Sequence, residues 1–339
     1  MTATITASSP TNPNRKFRRL AWVTWRQQRT AYVGTAIVLG ALAVWLLISG
    51  IEIRNEYTHL GLNACPDLSR PGCAVPLSIF RARYDGWAQF LPRFLLFLPG
   101  VIGVFVAGPL IARELETGTF RFAWTQGRTR SEWLTAKLVL VLAPLTIATL
   151  AVSAVFTWWY QAFEPLMGRM TSGQAYEVSG TVFAARTLLA LSIGVLVGVI
   201  LRKVVLTLVV SGVLWFAIVW VTVIYIRPSI QAPVNVPADS SIITRDGWTT
   251  AEWLQSPNGN RISGRSEQVA ALYHQAQAAG VTSDRGFETY LTQHGYIHWA
   301  SYQPAGRFWH FQLVETAGYV ILAMFLSSIA SWWIRRRAT

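Results

Sequence analysis

The chain has 339 residues, of which 52% are hydrophobic and only 13% charged, with 29 Lys and Arg against 16 Asp and Glu for a formal charge of +13. A soluble globular domain carries about 25% charged residues, so this balance, with its positive mean hydropathy, excludes that class. The chain reads as one set in a bilayer.

The first sixteen residues have the composition of a disordered cytoplasmic tail. From Phe17 the pattern FRRLAWVTWRQQR alternates bases with large apolar groups and predicts an amphipathic interfacial helix over 17–31. A spanning helix needs about 20 apolar residues, and six runs qualify: Tyr32 to Ile51, Phe94 to Ile111, Leu138 to Tyr160, Thr187 to Leu201, Val204 to Ile226 and Phe311 to Ile334. The first is too long for a signal peptide, and IEIRN after it offers no small-residue cleavage site. The fourth is short, which predicts that it begins upstream near Val182 and carries Arg186 into the bilayer. Glu315 lies at a similar depth in the sixth span, and isolated charges there cost about 3 kcal/mol or more, so the two are candidates for an ion pair or for the lining of a substrate path.

Charge sets the orientation. With both termini inside, the cytoplasmic pieces hold 16 of the 29 bases and only three of the 16 acids, as the positive-inside rule requires. The excess of base is then a topology signal and not a nucleic-acid footprint. Trp22, Trp25, Trp158, Trp159, Trp309, Trp332 and Trp333 fall at expected water interfaces. In the first outer loop, CPDLSRPGC places Cys65 and Cys73 around Pro66, Pro71 and Gly72, which predicts a small disulfide-closed loop in an oxidising exterior. The outer segment 227–310 starts rich in Pro and Ser and then predicts helices over EQVAALYHQAQAAG and DRGFETYLTQHG, stopped by Gly280 and Gly295. The fold class expected is an all-α integral membrane protein of six transmembrane helices, 1–5 within 32–226 and the sixth over 311–334, with a small α-rich extracytoplasmic domain at 227–310 and a short cytoplasmic tail at 335–339.

No enzymatic motif stands out. The three lysines, Lys16, Lys137 and Lys203, lie outside any GxxxxGK[ST] loop, so the chain cannot hold ATP by a P-loop. His294 and His298 have the spacing of two ligands on one helix, but Gly295 interrupts it and no HExxH glutamate is present, so solvated or packing histidines are expected and no metal site. No GxSxG appears. Gly194 and Gly198 form a GxxxG step in the fourth span, and Pro99, Pro109 and Pro144 read as kinks.

The polar insert between spans 2 and 3, ARELETGTFRFAWTQGRTRSEWLTAK over 112–137, is the one segment with a local code. Glu114 and Glu116 extend the second span and Gly118 can stop it; Phe120, Phe122 and Trp124 form an apolar patch that needs a partner surface; Thr129 to Glu132 match a capping box opening the next helix. The segment resembles the E-x-E-x-G-T stretch, with basic positions downstream, of bacterial type-2 ABC exporter permeases. The match of SYQPAGRFWHFQLVE over 301–315 and the abundance of Trp and Arg are similar to the actinobacterial branch of that family. The resemblance implies a non-enzymatic permease in the cell membrane. It implies two copies of a cytoplasmic ATPase that carry ATP and Mg, and a second permease chain, identical or paralogous, surrounded by membrane lipid. Glu114, Glu116, Gly118, Thr119, Arg130 and Lys137 match its coupling loop; Arg121 and Trp124 join them as basic and apolar contact residues. No cofactor is expected in this chain. The alternatives are a membrane-embedded transferase using the outer domain and an ATP-independent transporter.

Overall fold

The computed structural model describes residues 13–65, 71–118, 130–170, 173–237, 247–263 and 266–337. Among them, six helices are long and apolar enough to cross a membrane: Tyr32–His59, Gly72–Glu116, Lys137–Tyr160, Val182–Leu201, Val204–Ser229 and Ala305–Arg336. The bundle is the all-α architecture expected, and we number these spans 1 to 6.

Helix α1, Pro13–His59, runs through the interfacial segment and span 1 without a break. The separate amphipathic helix expected over 17–31 is therefore corrected to the first part of one long helix. No Gly or Pro stands between Arg29 and Tyr32 to end it. The long first outer loop is likewise replaced by helix: after a short link, α2, Pro71–Leu95, already leads into span 2. The chain loosens at Leu96 and Phe97 and resumes as α3, Leu98–Ile102, with Pro99 in its first turn. A π-helical stretch over Gly103–Ala107 then precedes α4, Gly108–Glu116, which has Pro109 in its first turn. Span 3 belongs to α5, Arg130–Tyr160, with Pro144 inside it.

A short helix α6, Gly173–Val178, precedes α7, Val182–Leu201, which is span 4 and starts where the sequence predicted. Span 5 is α8, Val204–Val221, extended by a π-helical stretch Thr222–Ile226 and a final turn Arg227–Ser229. Span 4 is the axis of the bundle: 78% of its most apolar window is buried, against 22% for spans 1, 5 and 6. Small residues make that possible. A Cβ on Gly103 would come within 2.2 Å of the Ala190 Cβ, and one on Gly194 within 2.9 Å of the Gly108 backbone, so the GxxxG face of span 4 meets the glycines of span 2 at backbone distance.

The outer segment is mixed rather than α-rich. Its two predicted helices are present as α9, Glu267–Ala278, and α10, Asp284–Gln293, with Gly280 and Gly295 at positive φ beyond their ends. Around them lies a four-stranded antiparallel sheet of β1, Val234–Pro237, β2, Gly247–Gln255, β3, Arg261–Ser263, and β4, Ile297–Pro304, in the order β1-β4-β2-β3. Leu254 of β2 packs with Leu272 and Leu291 of the helices, burying one face of the sheet. Residues 301–304 end β4, which passes through one short turn into α11, Phe308–Arg337, the sixth span. Trp159, expected at an interface, is fully buried among Phe156, Tyr160 and Phe163 where spans 1, 2 and 3 meet.

Candidate functional site

Cys65 and Cys73 are joined in a disulfide that ties the end of α1 to the start of α2. His294 closes α10 and His298 lies on β4, so the two do not share a helix face.

At the far end of the bundle, the loop between spans 2 and 3 stands on a fixed base. Lys137 of α5 is buried and forms an ion pair with Glu114 of α4, so the two helices flanking the loop are held together by opposite charges at their ends. Glu116 reaches a different helix. Its Oε2 accepts the backbone N–H of Val204 at 3.1 Å, at the start of span 5. The first N–H groups of a helix lack intrahelical partners, and a carboxylate there also meets the positive end of the helix dipole. Span 5 can begin beside Glu116 because spans 4 and 5 are joined by two residues only, Arg202 at φ +55° and Lys203 extended. Gly118, at φ +72°, provides the left-handed turn that ends α4. Thr119, Arg121, Trp124 and the capping residue Thr129 lie outside the described residues. Arg130 opens α5, as the capping box predicted, and its side chain is outside them too.

Near the opposite end, Arg186 and Glu315 are within 3.8 Å of one another, but they are half of a larger group. Glu177 of α6 pairs with Arg186 and, through Oε1, with Arg227 Nη1 at 2.6 Å. Arg227 completes the ring by binding both carboxylate oxygens of Glu315, with Nη2 donating to Oε2 at 3.0 Å. All four side chains are at most 5% exposed. Tyr176 donates its hydroxyl to Glu315 Oε1 at 3.3 Å and lies under the Arg227 guanidinium, 4.4 Å from the ring centre; Arg186 Nε donates to the Tyr319 hydroxyl at 3.3 Å. Burial alone would raise the Glu177 carboxyl, but Arg186 and Arg227 outweigh it and hold it below the usual carboxylate range. Two arginines and two glutamates leave the group neutral, which is how four buried charges are tolerated.

Gln312 secures the same region. Its Oε1 accepts the N–H groups of Thr181 and Val182, both at 3.0 Å, capping span 4, while its Nε2 donates to the Tyr176 carbonyl at 2.9 Å. Spans 4, 5 and 6 and α6 are thus locked together by polar contacts at one end, as spans 2, 3 and 5 are at the other. Span 5 enters both networks, through the Val204 N–H at one end and Arg227 at the other. Glu177 and Arg227 escaped a reading based on apolar runs, because both fall outside the runs, Arg227 just after the fifth and Glu177 on the short helix before the fourth.

The paired carboxylates and guanidiniums join α6 to spans 4, 5 and 6, and the contacts at the loop base join the ends of spans 2, 3 and 5. Comparison with known proteins places the chain in a family. No curated protein matches the chain, but a family model described as "ABC-2 membrane transporter related" matches residues 36–227, which covers spans 2 to 4, most of spans 1 and 5, the polar loop and three of the four charges of the buried ring. With more than half its length inside that match, the chain is a multi-pass membrane component of a transport system and belongs to the ABC-2 membrane transporter related family.

Proposed function

We propose that the chain is the permease subunit of an ATP-driven exporter that moves an amphiphilic substrate, drug-, lipid- or peptide-like, out of the cell. In this reading two permease chains, identical or paralogous, stand with two copies of a cytoplasmic ATPase that binds ATP and Mg²⁺. Both termini and the loop 117–129 face the cytoplasm, and the segment 227–310 faces outward. Family membership supports the permease role. The observation that carries the coupling is at the loop base: Glu114 on Lys137 and Glu116 on the Val204 N–H deliver any displacement of the loop to spans 2, 3 and 5 together.

The two ends of that device have different expected phenotypes. Trp124→Ala removes an apolar side chain of the kind that anchors interfaces, worth about 2 kcal/mol or roughly a thirtyfold loss of affinity, so it weakens co-purification with the ATPase. Glu116→Ala leaves ATPase binding intact and lowers permease-stimulated hydrolysis and transport in reconstituted vesicles. Glu116→Gln, which keeps an acceptor for Val204, restores most of both. Wild-type binding, hydrolysis and transport in both alanine variants would sink this assignment of the loop.

A further inference from the structure

Two prolines stand at matching places in spans 2 and 3. Pro109 lies in the first turn of α4, ahead of Glu114, and Pro144 lies in α5 beyond Lys137, so each is roughly one and a half to two turns from the Glu114–Lys137 ion pair. A proline has no N–H for the carbonyl four residues before it and crowds that carbonyl, so it is where a helix bends. In span 2 the break is extended: from Pro99 to Pro109 the chain reads PGVIGVFVAGP, and its middle, Gly103–Ala107, is π-helical. In span 3 the carbonyl freed by Pro144 is that of Leu140, and the Tyr32 hydroxyl of span 1 donates to it at 3.2 Å. A bend there leaves that carbonyl satisfied.

On the loop side of the two breaks, the ends of the spans are one piece. Glu114 pairs with Lys137, and Ile111 and Leu115 of α4 pack in one buried cluster with Leu134 and Val141 of α5. On the far side the same spans are fastened elsewhere, with Leu91 and Leu95 of α2 and Phe156 and Trp159 of α5 held in the aromatic cluster against span 1. Where α4 crosses span 4 the contact is backbone: a Cβ on Gly198 would meet the Gly108 carbonyl oxygen at 3.2 Å and the Ala112 nitrogen at 3.3 Å. Glycine against backbone can roll without unpacking a side chain. We infer that residues 108–116 and 130–143 form a single arm hinged at Pro109 and Pro144, which swings against span 4 while the far halves of spans 2 and 3 stay fixed. Over the nine residues of α4 the arm is about 13 Å long, so a swing of about 10° carries Glu116 by about 2 Å, and with it the Val204 end of span 5. That an ATPase drives the swing rests on the coupling reading above; the hinge does not.

Double electron–electron resonance on the full chain in nanodiscs, without ATPase or ATP, tests the hinge separately from the coupling. Both native cysteines are in the disulfide, so maleimide spin labels report only on added cysteines. Phe325 of span 6 is the common reference, Arg113 reports on the arm and Phe94 on the far half of span 2; all three are exposed. The 113–325 distance distribution should be about twice as wide as the 94–325 distribution. Pro109→Ala combined with Pro144→Ala, which returns a backbone donor to each helix, should narrow the first to the width of the second. Equal widths in the native background, or an arm distribution that the double variant leaves as wide, overturns the hinge and leaves the coupling reading standing. Wild-type behaviour of Trp124→Ala and Glu116→Ala would end the coupling and leave the hinge. Should the double variant fail to fold by gel filtration, hydrogen exchange on the native sequence decides in its place. Amides of 99–109 should exchange roughly tenfold faster than those of 188–198 in span 4, and equal protection overturns the hinge.

Discussion

Arg186, Glu177, Arg227 and Glu315 alternate in sign, and each charge is held by at least one partner from a different element. Removing one member of a buried pair costs more than the pair contributes, because its partners keep their charge in a medium that cannot solvate it. Glu177→Ala leaves two arginines sharing Glu315, so the ring carries a net positive charge, and a loss of about 3 to 5 kcal/mol in stability is expected. The double variant Glu177→Gln with Arg186→Met removes one charge of each sign and should recover more than half of that loss. Thermal unfolding in one detergent, read by tryptophan fluorescence, measures both. If Glu177→Ala melted like the wild type, the four side chains would be solvated in the membrane-embedded protein and the ring would not be the fastener that joins α6 to spans 4, 5 and 6.

At the scale of elements, the closest fit is the crossing of spans 2 and 4. Gly103 faces the Ala190 Cβ at a separation no side chain tolerates, within a π-helical stretch that re-aims the chain between Pro99 and Pro109. Gly103→Ala should therefore push the axis helix away from span 2 and cost about 1 to 3 kcal/mol, whereas Gly34→Ala, with nothing near its added methyl, should be neutral or slightly stabilising through helix propensity. Equal melting temperatures for the two variants would mean that spans 2 and 4 are not in backbone contact. This crossing was half visible in the sequence: Gly194 and Gly198 announced a close approach, but their partner surface, Gly103 and Gly108, is not a GxxxG repeat. The spans themselves were legible because a bilayer demands long apolar runs. The helical lengths of α1 and α2 were not, since residues 52–59 and 71–93 are polar enough to read as loop and hydropathy reports the membrane rather than the helix. The sheet was missed for a related reason. Strands such as VNVP and IHWASYQP are short and mix Pro, Gln and Ser with their β formers, and their pairing brings 234 beside 302, a contact that no local pattern announces. In the loop, helix stops and caps were legible at Gly118 and Arg130, while the Glu116 contact with Val204 joins residues 88 apart in sequence.

For the whole molecule, the two polar networks sit at opposite ends of span 5, and the proposed mechanism requires those ends to face different compartments. In that proposal the base-rich pieces 1–31 and 112–137 and the terminal arginines lie on the cytoplasmic side, the side positive charge favours, and the segment 227–310 lies on the other. The disulfide agrees, since Cys65 and Cys73 lie in the link expected on the oxidising side. It also makes the test simple. The chain has two cysteines and both are in the disulfide, so single cysteines can be added to the native sequence without a reactive background. Asn258 is exposed in the turn between β2 and β3, and Gln126 belongs to the polar loop. In intact cells a membrane-impermeant maleimide should label Asn258→Cys and spare Gln126→Cys, and permeabilisation should expose the second without changing the first. Labelling in the reverse order would turn the bundle over, put Trp124 outside the reach of any cytoplasmic ATPase, and end the coupling proposal while leaving the fold and the ring of buried charges untouched.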